Sequence, residues 1–333
     1  ALEVMIEGVG GARVGEAVGA GDFHGLMANN TCIIAHPSCT EKWNKEVVEM
    51  KLEHSKTGHP RYLNVAGVTQ LTDIRVADTL RRYWRAAGLD VRHDTEAGAA
   101  VERPDYWVVR VSLLSMTAEE QRRLLALLEK RQADTSARAR QMDLPAHARA
   151  CAAYVRQRSK ATGVGAQAKM YVNIAGGAAN GEEITEAVAA LEAAGFKVGE
   201  NGHARVVPGP LIRATSGYLL THMPLQTSST FKTIKAITER ACAIANSVTP
   251  DPDLDLQSRA VAAWTNHSWR RLADTTARRT RLDTRFGRDA VEPWEIDLLF
   301  GWNEAEMEKE MQLHYAAMGL LDRIKQARIT CMM

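Results

Sequence analysis

The stretch TEKWNKEVVEMKLEH, Thr40–His54, decides how much of the first half of this chain is helix. Thr40 is a residue type that starts helices, and Trp43, Val47 and Met50 follow at the four- and three-residue steps of one helical face. The spacing predicts a helix over about 41–54 that buries those three side chains. Working outward, RYLNVAG at 61–67 reads as a short strand and about 73–87 as a second helix, stopped by Gly88. LDVRH and YWVVRVSL, beginning at Leu89 and Tyr106, read as strands. Residues 1–30 are Gly-rich and weakly periodic, the texture of irregular surface or an arm. Thr117-Ala118-Glu119-Glu120 is a capping box for a helix to about Arg131. The polar, Arg-rich run RQADTSARARQMD that follows is the best linker, and Pro145 opens the next helix.

Past the linker, MYVNI is a strand, GGAANG a loop, EEITEAVAALEAAG a helix and FKVGE a strand. This places a small βαβ unit at about 169–207. After Pro208 and Pro210 the pattern turns helical, with helices at about 230–246, 256–285, 293–299 and 304–327. Asn303 with Glu306 caps the last, whose apolar stripe is Met307, Met311, His314/Tyr315, Met318 and Leu321. The expected class is α+β with helix in the majority, in an N-terminal α+β lobe, 1–140, and a helix-rich lobe, 141–333.

Bulk composition narrows the function classes. Forty-two Lys and Arg oppose forty Asp and Glu, so there is no general attraction to nucleic acid or an anionic membrane. No apolar run is long enough to span a bilayer, so no membrane partner is expected. Five irregularly spaced cysteines suggest a reducing compartment and no disulfide framework. The opening residues have no basic start or long apolar core of a signal peptide, and the missing initiator Met suggests processing or a fragment.

Several motifs hint at chemistry. Ser229-Thr230-Phe231-Lys232, Lys56-Thr57-Gly58 and Tyr171-Val172-Asn173 match the three boxes of penicillin-recognising serine enzymes. They occur in reversed order, which circular permutation cannot produce. Ser229 is read instead as a helix cap, with Ile234, Ile237, Ala241 and Ile244 packed inward. Gly163-x-Gly165-x-x-Ala168 precedes a strand, where a dinucleotide loop must follow one. Cys32, His36 and Cys39, with His54 or His59, lack the tight cysteine pairs of zinc sites. Asp251, Asp253 and Asp255 lack the glycine and bidentate glutamate of a calcium loop. No catalytic, cofactor or metal centre is expected from these.

The Arg-rich run WTNHSWRRLADTTARRTRLDTRFGR makes an amphipathic helix. Trp269, Leu272, Ala273, Thr276 and Thr280 share the inward face, and Arg270, Arg271, Arg278, Arg281 and Arg285 gather on the other. Such a face contacts RNA phosphates or a partner's carboxylates, or stays solvated and internally paired with Asp274 and Asp283. Trp264, Trp269, Trp294 and Trp302 cluster here and serve either a core or a subunit interface.

From Trp264 onward the chain resembles the C-terminal part of capsid proteins of the totivirus and victorivirus type. The run Trp294–Asn303, WEIDLLFGWN, followed by Met311-Gln312-Leu313-His314-Tyr315, carries the resemblance most specifically. It implies a mostly helical shell fold, a non-enzymatic role and assembly as asymmetric dimers. The implied shell encloses a double-stranded RNA genome and its polymerase, in a virion and in the host cytoplasm. Family capsid proteins are about twice this length and carry an Ala/Pro/Gly-rich tail, so the chain is expected to be one portion or a divergent form. The sites expected to meet a neighbour or RNA are Arg270, Arg271, Arg278, Arg281, Arg285, Trp294 and Trp302. A helical nucleic-acid-binding protein using the 270–285 face, and more distantly a serine hydrolase, are the competing expectations.

Overall fold

A computed structural model describes residues 2–19, 25–53, 60–70, 72–112, 117, 119, 122–123, 126, 169–173, 185, 188–189, 192–193, 204–216, 219–248, 264–280, 293–300 and 320–331. Strand β1 (Thr31–Ala35) is the centre of a five-stranded antiparallel sheet with β2 (Val47–Leu52), β3 (Arg61–Ala66), β4 (Asp90–Glu96) and β5 (Ala99–Asp105). The spatial order is β3-β2-β1-β5-β4. One sheet face, with Ile33, Val48, Met50, Leu52, Leu63 and Val65, packs in the main core with Trp84. The other face, with Cys32, Ile34, Val47, Ala99 and Val101, packs against Leu320, Ile324 and Ala327.

Residues 47–52 of the helix expected over 41–54 are instead strand β2. Val48-Glu49-Met50-Lys51-Leu52 alternates apolar with polar, the period of a strand, and Val48, Met50 and Leu52 face the main core. Trp43, Val47 and Met50 fall by chance at helical spacing, while the β-branched pair Val47-Val48 favours the pleat. Helices do not dominate the framework. Ten strands in three antiparallel sheets stand beside the helices among the described residues. The helix-majority class, and the helix-dominated shell fold implied with it, are corrected to a mixed framework of sheets and helices.

Helix α1 (Leu2–Gly8) and the short α2 (Val14–Ala17) occupy the stretch expected to be irregular. Leu2, Ile6 and Val9 are spaced as one helical face, and all three are buried. Helix α3 (Val76–Ala86) links β3 to β4 and buries Val76, Ala77, Leu80 and Trp84. Gly88 follows it at φ +66, the left-handed stop read from the sequence.

Strand β6 (Trp107–Ser112) lies between β7 (Lys169–Asn173) and β8 (Ala204–Pro208), antiparallel to both. β7 is the first strand of the unit expected at 169–207 and pairs with a strand of the first half, while its expected second strand, FKVGE at 196–200, lies outside the described residues. A second correction follows Pro210, where the chain forms the pair β9 (Arg213–Ser216) and β10 (Leu219–Pro224) before turning helical. The remaining helices are α4 (Thr227–Val248), α5 (Asn266–Thr280), α6 (Pro293–Phe300) and α7 (Leu320–Cys331). The linker at 131–143, the Pro145 helix, the calcium-like turn and the 307–318 stripe lie outside the described residues.

Helix α7 covers the edge of β3. The Thr330 hydroxyl accepts from the Ala66 amide at 2.7 Å, and the Gln70 amide donates to the Cys331 carbonyl at 2.8 Å. No helix among the described residues is long and apolar enough to cross a membrane.

Candidate interface around the arginine helix

Helix α5 begins at a local cap, in which the Thr265 amide donates to Ser268 Oγ at 2.9 Å. Its inner stripe is Arg270, Ala273 and Ala277, all buried. The two alanines let the helix approach α1 closely, where a Cβ on Gly8 would stand 3.3 Å from the Trp269 indole. This placement differs from the expected face. Leu272 points outward and is 45% exposed, while Arg270 points inward.

Arg270 donates to the Gly11 carbonyl at 3.0 Å. Around it, Arg61 donates to Glu16 and to the Leu299 carbonyl at 2.5 Å each, and Arg13 donates to Glu16 at 3.0 Å. Burial works to raise the Glu16 carboxyl, but Arg61 and then Arg13 hold it below the ordinary value. Burial, then the like charges of Arg61 and Arg13, lower Arg270 to about 10. This buried group fastens α2, β3, α5 and the end of α6 together. Arg270 is thereby withdrawn from the outer, RNA-facing set.

The outer surface of α5 carries Arg271, Leu272, Thr275, Arg278 and Arg279. Arg278 donates to Asp274 at 2.9 Å and also pairs with Asp297 of α6, so it clamps two helices. Arg271 and Arg279 are exposed, and among the described residues neither has a carboxylate at salt-bridge distance. They lie eight residues apart, roughly 12 Å along the axis and about 80° apart around it. Trp294 stands in the first turn of α6; Arg281, Arg285 and Trp302 lie outside the described residues. Helix α6 buries Ile296, Leu299 and Phe300 and holds α7 through Glu295, which accepts from Arg328 at 2.7 and 2.9 Å.

Ser229 lies in the first turn of α4, half-buried, and Lys232 of its box is exposed. Tyr171 and Asn173 are on β7, while residues 56–58 and 163–168 lie outside the described residues. The buried stripe of α4 is Thr230, Ile234, Thr238 and Cys242, not the expected Ile234, Ile237, Ala241 and Ile244. The threonines tolerate burial because their hydroxyls return to carbonyls four residues back, Thr238 to Ile234 at 2.9 Å. His36 bonds Ser38 and the Cys32 thiol faces Glu49 at 3.9 Å. Among the described residues no three His, Cys, Asp or Glu side chains could hold a metal ion together.

Sequence reading missed one buried polar cluster. The Tyr106 hydroxyl meets His222 Nδ1, and Arg213 lies 4.5 Å over the Tyr106 ring. Arg213 also donates to the Ala87 carbonyl at 2.8 Å, and its amide donates to the Tyr83 hydroxyl at 3.2 Å. Tyr106, His222 and Arg213 are all buried, so a substrate could reach them only if the fold opened. The cluster ties β10 and β9 to the β5–β6 junction and the end of α3. Its members come from positions more than a hundred residues apart, which no local motif reveals.

Comparison with protein-family models, with curated proteins and with solved structures returns no match.

Proposed function

We propose that this chain is a structural subunit that acts by binding copies of itself, in the shell of a double-stranded RNA virus. The observation that carries the reading is the far half of α4. The helix is 22 residues long, yet none of Ala243–Val248 is buried. Ile244 is 55% and Val248 76% exposed there. A helix that leaves apolar residues bare at one end suits a contact completed by a neighbour. The outer face of α5, with Leu272 between Arg271 and Arg279, offers a second such contact. The specific identity rests on the resemblance of 294–303 and 311–315, which brings with it the genome, the polymerase, the virion and the host cytoplasm.

Sedimentation velocity and negative-stain microscopy of the full chain test this. Concentration-dependent growth into large closed particles is expected. A monomer at every concentration, with no assembly in the presence of RNA, removes the proposal.

Exposed Arg271 and Arg279 favour one second reading, nucleic-acid binding without a shell. RNA affinity that falls steeply with salt, in a chain that stays monomeric, would support it. Loss of that affinity in Arg271→Ala with Arg279→Ala would locate it. Acylation of Ser229 by an active-site-directed β-lactam would reopen the enzymatic alternative.

A further inference from the structure

We propose that β4 is a self-pairing edge, and that a second copy of this chain adds its own β4 antiparallel to it, continuing the sheet across a two-fold axis at His93. The starting observation is burial. None of the seven residues of β4 is buried, and Arg92, His93, Asp94 and Thr95 are exposed in succession. Successive residues point to opposite faces, so both faces of this segment are open. Among the described residues, β5 is the strand that pairs with β4, in the register Asp90↔Asp105 to Glu96↔Ala99. At the opposite edge of the sheet, β3 is covered by α7. Among the described residues the sheet therefore has one covered edge and one uncovered edge.

The charge order along β4 selects the occupant. Asp90-Val91-Arg92-His93-Asp94-Thr95-Glu96 is complementary to itself when two copies run antiparallel about His93. Arg92 of each copy then stands opposite Asp94 of the other, on the same face, at cross-strand distance. Arg92 Nε already bonds Asp105 at 3.0 Å, which leaves the two terminal nitrogens of the guanidinium to reach across. Val91 meets Thr95, a compatible pair for a strand. At the ends, Asp90 meets Glu96, whose charge is offset by its ion pair with Arg103. Charged side chains ordinarily keep an edge strand from pairing; here Arg92 and Asp94 stand in the order an antiparallel twin requires. The surface is separate from α4 and α5, and the pairing stands whether or not the copies go on to close a shell.

Sedimentation equilibrium of the full chain is the test, with hydrogen exchange of the β4 amides as the local readout. The wild type is expected to form dimers, and exchange at 90–96 slows as protein concentration rises. Asp94→Lys places two like-charged pairs across the axis and weakens dimerisation by about tenfold or more. Arg92→Glu does the same from the other side. An equimolar mixture of the two variants matches Arg92 with Asp94 and Lys with Glu, so it recovers dimers that neither forms alone. Circular dichroism melts confirm that both variants fold; if Arg92→Glu fails because Asp105 loses its partner, Asp94→Lys with the exchange measurement decides. Concentration-independent exchange at β4, or self-association indifferent to Asp94→Lys, overturns the inference. Particles that form with no slowing of exchange at β4 overturn it while leaving the shell reading intact, and dimers without particles do the reverse.

Discussion

Glu7 is 1% exposed, and neither carboxyl oxygen has a hydrogen-bond partner among the described residues. Burial first, and the charge of Glu3 one turn away second, push it up to about 8. The unfolded chain loses this proton near the ordinary carboxylate value, so the folded state binds more protons in between. Its contribution to stability is therefore full below that ordinary value and is lost as pH rises toward 8. The denaturation midpoint of the wild type is expected to fall between pH 5 and pH 8. Glu7→Gln flattens that profile and is the more stable protein at pH 8; equal slopes in the two proteins would contradict the assignment. Ala97 poses a backbone problem. It and Gly98 form the two-residue loop joining β4 to β5, with φ of +48 and +83. Two positive φ angles are the requirement of a type I′ turn, which suits Asn-Gly far better than Ala-Gly. Ala97→Asn should stabilise the chain by about 0.5–1 kcal/mol, read from urea unfolding.

The elements show where one-dimensional periodicity informs and where it misleads. Helix α3 was legible because an apolar stripe and a glycine stop coincide, and β3, β6 and β7 because short β-rich runs are bounded by breakers. Strand β2 was not, although Val48-Glu49-Met50-Lys51-Leu52 alternates apolar with polar, because Trp43, Val47 and Met50 also fall at helical spacing. Helix α5 was found but turned about its axis. A hydrophobicity wheel puts Leu272 inside, whereas close approach to Gly8 of α1 demands Ala273 and Ala277 there. The ion group that this rotation buries was invisible for another reason: Arg61 and Arg270 reach the local Arg13–Glu16 pair and the Gly11 carbonyl only through tertiary contacts. It joins elements from both ends of the chain, so removing one partner leaves a buried charge rather than a solvated one. Arg61→Ala is expected to cost about 3–5 kcal/mol in chemical denaturation. The pH dependence here runs opposite to that of Glu7. Glu16 is held below its ordinary value, so its stabilisation is present above that value and lost as pH falls through the depressed one. In Arg61→Ala this acid-side loss should shrink.

At the scale of the molecule, burial is unevenly distributed. The sheet is packed on both faces, its β3 edge is covered, and α5, α6 and α7 are cross-braced by Arg278 and Arg328. The far end of α4 takes no part in that bracing. Its Ile244 and Val248 lie four residues apart, so they share one face of the helix. Burying both against a neighbour would contribute roughly 1.5–3 kcal/mol for each side chain. Within a single copy they contribute little, because exposed positions usually change stability by about 0.5 kcal/mol or less. This asymmetry makes the assembly proposal testable at one place. Ile244→Lys with Val248→Lys adds cations at a helix C-terminus, where the helix dipole favours them, so the isolated fold is spared. The double variant should melt within a few degrees of the wild type, as a change of about 1 kcal/mol or less permits. Its self-association, followed by sedimentation velocity over a concentration series, should weaken by about a hundredfold. If the variant assembles as the wild type does, α4 is not a contact and the proposed shell must be held by other surfaces. If it melts far below the wild type, those side chains serve the monomer, and the observation on which the shell reading rests is lost.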